Sequence, residues 1–231
     1  MEIRNYTNEQ VQTIQAAFMS KVYTWMSGGL AITGLIAMWV ASTPEIINYL
    51  LLNQMLFFGL MIGEIFLVGY LITVIKKISA QTAAMIFTGY AALNGLTLSV
   101  VFLIYTSQSI ATTFFVTAGT FAIMSIYGYY TKKDLTSWGN LLFMALIGII
   151  IASVVNIFMK SEMMYWLITY AGVFIFVGLT AYDTQKIKRM SVASEVGSEE
   201  ESKSAIVGAL MLYLDFINLF LLLLRILGDR K

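Results

Sequence analysis

Glu64, Asp183 and Asp215 are carboxylates set in or against long apolar runs. Glu64 lies in LMIGEIFLVGY, Asp215 lies in IVGALMLYLDFINLFLLLLRILG at 206–228, and Asp183 closes MMYWLITYAGVFIFVGLTAY. An ionised side chain at the centre of a membrane helix costs about 2.5–3.5 kcal/mol on insertion scales. Protonating an ordinary aspartate at neutral pH costs about 4 kcal/mol. The two penalties are close, so a modest push, such as a second carboxylate nearby, decides whether such a group is charged. That is the chemistry of a proton sensor, and two carboxylates that meet titrate as one unit. Carboxylates also supply hard oxygen ligands. The chain has no cysteine and no histidine, which excludes ordinary zinc sites, histidine-ligated haem, and Cys/His or Ser/His nucleophiles. A metal held here takes oxygen donors, which favours calcium or magnesium. The expected ligand set is Asp183, Asp215 and Glu64.

Asp215 has polar company on its own helix. Gly208, Met211, Asp215, Asn218, Leu222 and Arg225 fall on one helical stripe, which therefore points into a bundle rather than to lipid. Asn218 joins Glu64 as an expected lining of an ion pathway. Arg225 is about 15 Å along the axis from Asp215, beyond direct pairing, and reads as a snorkelling interface residue.

The elements that hold these residues follow from composition. Of 231 residues, 59% are hydrophobic and 12% charged, whereas soluble domains carry about a quarter charged residues. The reading is an all-α, polytopic membrane protein. Seven apolar runs of spanning length fall near 22–41, 50–75, 82–105, 109–130, 138–159, 163–183 and 205–227. Residues 1–21 form a tail, read either as an interfacial helix or as an extension of the first span. Residues 22–231 form one transmembrane domain. No secretory signal is expected. Lysine and arginine concentrate in the tail (Arg4, Lys21) and in the even-numbered connections (Lys76, Lys77, Lys132, Lys133, Lys186, Lys188, Arg189, Lys203). By the positive-inside rule this places the N-terminus in the cytoplasm. Gly59 and Gly63 make a GxxxG pattern, read as internal helix packing, and Glu199–Glu201 read as an acidic run in a solvated loop.

Two stretches, AYDTQKIKRM at 181–190 and LYLDFINLFLLLLRILG at 212–228, resemble the signature of the Bax inhibitor family of membrane proteins. NGLTLSVVF at 94–102 and KKDLTSWGNLLF at 132–143 support it, and the short-looped bacterial type is the most similar. The resemblance implies a seven-helix bundle with the last helix near its centre. It implies that Asp183 and Asp215 are hydrogen-bonded to each other as the pH sensor of a calcium leak, and that Glu64 is the acid of the family's second helix. Bacterial members carry a basic latch at the cytoplasmic end of that helix. The aligned position here is Ile75 with Lys76 next, so the latch is either Lys76 in a shifted register or missing.

The function expected is a pH-sensitive calcium leak channel or exchanger of a bacterial inner membrane. Its partners would be the lipid bilayer, calcium ions and protons, with no cofactor and no nucleic acid. The alternative is a non-transporting modulator of a membrane protease or stress response. An enzyme is not expected: the GxGD element of intramembrane aspartyl proteases is absent, because Leu212, Tyr213 and Leu214 precede Asp215.

Overall fold

The computed structural model describes residues 7–192 and 195–231, and its regular structure is helical. The elements are α1 (Asn8–Ala41), α2 (Pro44–Leu52), α3 (Gln54–Val74), α4 (Ala80–Leu98), α5 (Val101–Ile104), α6 (Ser107–Tyr130), α7 (Thr136–Met159), α8 (Glu162–Met190) and α9 (Glu199–Leu227). Among the described residues, seven stretches are long and apolar enough to cross a membrane: α1, α3, α4 with α5, α6, α7, α8 and α9.

The starts of these helices are written in short polar residues. The Thr7 side chain accepts the Gln10 N–H while the Gln10 side chain accepts the Thr7 N–H, a reciprocal cap that begins α1. Ser79 caps α4 and Thr106 caps α6 in the simpler form. Pro44 occupies the first turn of α2, where its missing N–H is harmless. α1 is continuous from residue 8, so the expected tail is largely the opening turns of the first span. Arg4 lies outside the described residues.

Residues 1–104 with 187–213 form one compact unit, and 105–186 with 214–231 form another. In the first, α1 lies on α4. A Cβ on Gly29 would meet the Phe87 ring, and one on Gly95 would meet Ile36, so the two helices approach through missing side chains. Thr33 Oγ1 donates to the Ala91 carbonyl at 2.8 Å, and Tyr213 Oη lies 2.7 Å from the same hydroxyl. The Tyr213 ring is edge-on to Phe87 and Tyr90. α2 is seated through Val40, Ile47 and Leu50. In the second unit, Ile175, Phe176 and Leu179 of α8 pack with Leu219 and Leu222 of α9, walled by Leu142, Leu146 and Ile149 of α7.

Burial separates the spans. The apolar windows of α3 and α7 are 6% and 0% buried, whereas 56% of the α9 window is buried, the highest share of the seven. Apolar side chains that coat α3 and α7, such as Ile65, Phe66, Ile151 and Phe158, suit acyl chains rather than protein. The polar stripe of α9 sits on the most enclosed helix, as the cost of polar groups in lipid requires.

Two expectations are corrected. A Cβ on Gly59 or Gly63 would meet nothing within 4 Å among the described residues, so this GxxxG makes no close helix approach there; close approaches fall at glycines such as Gly29, Gly95, Gly128 and Gly139 instead. The acidic run is not a solvated loop. It is the first turn of α9, Ser198 Oγ accepts the Glu201 N–H at 3.1 Å, and Glu201 is 3% exposed. Glu201 pairs with Lys21 at 3.0 Å, and Glu199 accepts the Ala80 N–H at the start of α4 at 3.0 Å. Burial of a carboxylate demands partners, and α1 supplies one.

Candidate functional site

Asp183 and Asp215 meet. Their carboxyl groups are hydrogen-bonded to each other. Asp215 is 4% exposed, and its Oδ2 has no partner among the described residues. A hydrogen bond between two carboxyl groups needs a proton on one of them, since ionised carboxylates only accept. Such a bond between the two side chains forms only while the pair holds a proton.

The helices bring the pair together by running past the expected span ends. α8 continues to Met190, so Asp183 lies two turns inside it, and α9 starts at Glu199 rather than near 205. Gly208 faces Ile187 in one unit, and Gly172 faces Leu222 in the other. An antiparallel register through either contact sets Asp183 within about one helical turn of Asp215. The signal for the earlier start was Ser198–Glu201, an S-x-x-E pattern of the capping-box type of which the Ser198 cap forms here, and which the acidity of the run concealed.

Residues flanking Asp183 fix its place. Thr184 Oγ1 donates to Ser125 Oγ on α6 at 3.3 Å and to its own helix at Thr180 O at 2.7 Å. Gln185, 7% exposed, accepts the Leu135 N–H at 2.9 Å and donates to the Lys133 carbonyl at 2.8 Å, which ties the α6–α7 connection to α8. At Gly128 and Gly139, α6 and α7 come so close to α8 that a Cβ would strike the Ala181 carbonyl and the Tyr182 ring respectively. Thr184 and Gln185 were not singled out in the sequence; nothing in a Thr-Gln pair distinguishes a clamp from a solvated helix end. The cation that bears on Asp183 is Lys186, one turn along α8, with Nζ 5.8 Å from the Tyr182 ring centroid. Lys76, the residue considered for a latch, is exposed in the turn after α3.

The remaining site residues have separate surroundings. Glu64 is at the middle of α3, half-buried, and accepts from Thr97 Oγ1 at 2.8 Å and from Asn94 Nδ2 at 3.5 Å on α4. Asn218 donates one Nδ2 N–H to Leu214 O of its own helix at 2.8 Å. Arg225 is exposed, with its guanidinium 5.5 Å from the Tyr165 ring centroid. The ligand set Asp183, Asp215 and Glu64 is not assembled: among the described residues no three His, Cys, Asp or Glu side chains gather closely enough to hold a metal. Glu64 is satisfied by neutral donors from α4, and the two aspartates engage each other.

Comparison with known proteins identifies relatives along almost the whole chain. The family profile described as inhibitor of apoptosis-promoting Bax1 matches residues 15–231. The inner membrane protein YbhL of Escherichia coli strain K12 is 51% identical over 217 residues, covering 93% of this chain and 92% of that protein. A protein of Borreliella burgdorferi is 46% identical across 94% of both chains, and one of Deinococcus radiodurans is 40% identical across 97% of this chain and 94% of that one.

Proposed function

The chain belongs to the Bax inhibitor family, and from that premise we propose that it is a pH-sensitive calcium leak of a bacterial inner membrane. The location is taken from YbhL, an inner membrane protein, and from the seven spans. The observation that carries the reading is the meeting of Asp183 on α8 with Asp215 on α9, the most buried of the seven spans, in a contact that needs a proton to be a hydrogen bond.

The pair is a bistable element. With a proton between them the carboxyls hold α8 to α9. Without it two like charges face each other at low dielectric, and the contact becomes repulsive. Lys186 is the neighbouring charge able to bias that balance. The same two carboxylates, freed from each other, are hard oxygen ligands, and two are too few to hold calcium tightly. Such a site passes calcium rather than storing it.

The test is calcium entry into dye-loaded proteoliposomes across a pH series. Wild type should leak in a pH-dependent manner, and Asp183→Asn and Asp215→Asn should flatten the profile. Purified, folded protein that moves no calcium at any pH would end the leak reading. A profile unchanged in both variants would end the sensor role.

A further inference from the structure

We propose that a buried column of hydroxyls on α6, Ser109, Thr113, Thr117 and Ser125, is the polar lane to the aspartate pair, closed by Phe121. The lane's cargo rests on the calcium reading above, but its existence does not.

Ser109, Thr113, Thr117, Phe121 and Ser125 recur every four residues and form the buried face of α6, with Gly128 completing it. The four hydroxyl residues are 7%, 0%, 0% and 5% exposed, whereas Phe115 and Ile123 on the same helix are 74% and 67% exposed. The column thus faces protein while its neighbours face lipid. From Ser109 to Ser125 it covers about 24 Å of helix axis, most of a hydrocarbon core of about 30 Å.

One end is tied to an ionisable group, and the other to the stretch of α8 that carries Asp183. At one end Ser109 Oγ donates to Asp229 Oδ2 at 3.4 Å and accepts the Asp229 N–H at 3.0 Å. At the other, Ser125 Oγ accepts from Thr184 at 3.3 Å, the residue that follows Asp183. The loop charges place the Asp229 end outside. Between them, Thr117 donates to Thr113 O at 2.7 Å. The Thr113 hydroxyl is fully enclosed and has no partner among the described residues. A buried hydroxyl left unmade costs about 1–3 kcal/mol, and a methyl would fill the same space without that penalty. A hydroxyl kept there fits a lane that a hydrated ion or a proton enters transiently.

One ring interrupts the column. Phe121 is 5% exposed, and its ring lies 5.5 Å from that of Phe216, 4% exposed, at 65°. Phe216 also meets Phe114 at 5.4 Å, and it directly follows Asp215. An apolar constriction of this kind excludes ions by dewetting. A displacement of α9 at Asp215 carries Phe216 with it, so separation of the acid pair also withdraws one side of the plug.

The native chain has no cysteine, which permits a direct test. Thr113→Cys and Thr117→Cys are made in the full-length protein, with Phe115→Cys as the lipid-facing control. Each is reconstituted and treated with a membrane-impermeant cationic thiosulfonate, whose sulfur is attacked by a hydrated thiolate to form a mixed disulfide with release of sulfinate. The two lane positions should react at least about tenfold faster than Phe115→Cys, because the thiolate forms in water and not against acyl chains. Their modification should abolish calcium flux. Phe121→Ala should raise flux several-fold without moving its pH midpoint, a gain that a misfolded variant cannot produce. Lane positions that react no faster than Phe115→Cys, in a protein that leaks calcium, overturn the lane and leave the leak intact. Fast labelling in a protein that moves no calcium leaves the lane and removes calcium as its cargo. Neither labelling nor flux overturns both.

Discussion

Asp183 of α8 and Asp215 of α9 share a hydrogen bond between side chains that both belong to membrane spans. The bond contains a proton, so its contribution to stability has a definite sign with pH. It is present while the pair keeps at least one proton and is lost as pH rises through the last deprotonation. The apparent melting temperature of the detergent-solubilised protein should therefore fall across that step. Asp183→Asn supplies an amide N–H in place of the shared proton, so its melting temperature should not show the step. Superimposable curves for wild type and Asp183→Asn would contradict this.

Gly128 is fixed by the Ala181 carbonyl on α8, where a Cβ has no room. Gly128→Ala should cost about 1–3 kcal/mol, as overpacking of a tight contact does. Gly119 on the same helix has nothing within 4 Å, and Gly119→Ala should be neutral. Thermal stability of the two single variants, measured side by side, checks the ranking.

Glu201 joins three features: the Lys21 ammonium, the Gly197 N–H and the Ser198 cap. Glu201→Ala removes the acceptor from a site that stays buried and should cost about 2–3 kcal/mol. Lys21→Ala breaks the same ion pair from its half-exposed side and should cost under about 1 kcal/mol. Equal losses in the two variants would mean that the ion pair alone, and not the anchoring of the α9 start, matters.

Lys160 ends α7 with φ 51° and ψ 34°, in the left-handed region. A residue with a Cβ pays about 1–2 kcal/mol there, and glycine does not. Lys160→Gly should raise the melting temperature while leaving calcium flux unchanged. A fall would show that the lysine side chain has a stabilising contact that outweighs the strain.

The seven spans were legible in the sequence because twenty apolar residues are a strong signal in lipid. The acids Glu64, Asp183 and Asp215 were legible for the opposite reason, as costly exceptions within those runs. What escaped was geometry set by other helices. Gly59 and Gly63 carry the expected packing pattern yet face nothing, while Gly128, with no pattern around it, carries a backbone contact. Spacing describes one helix; the partner decides whether a gap is used. The pairing of Asp183 with Asp215 came from family resemblance and not from depth, because apolar length ends a helix where polarity begins. α8 and α9 instead continue as amphiphilic helices beyond the membrane-length segment, and Ser198 was the local marker of that extension. The α6 hydroxyls were invisible for a simpler reason: serine and threonine are common in membrane helices, and only burial on one face distinguishes a column from scatter.

α9 is both the most enclosed of the seven spans and the one that follows the other six in sequence. During synthesis α6 and α8 enter the membrane before it exists. Until it arrives, Asp183 lacks its carboxyl partner and Phe121 lacks Phe216. Insertion of α9 is thus the event that completes the second unit, and a nascent chain that stops before residue 199 would hold Asp183 without the carboxyl that meets it in the folded protein.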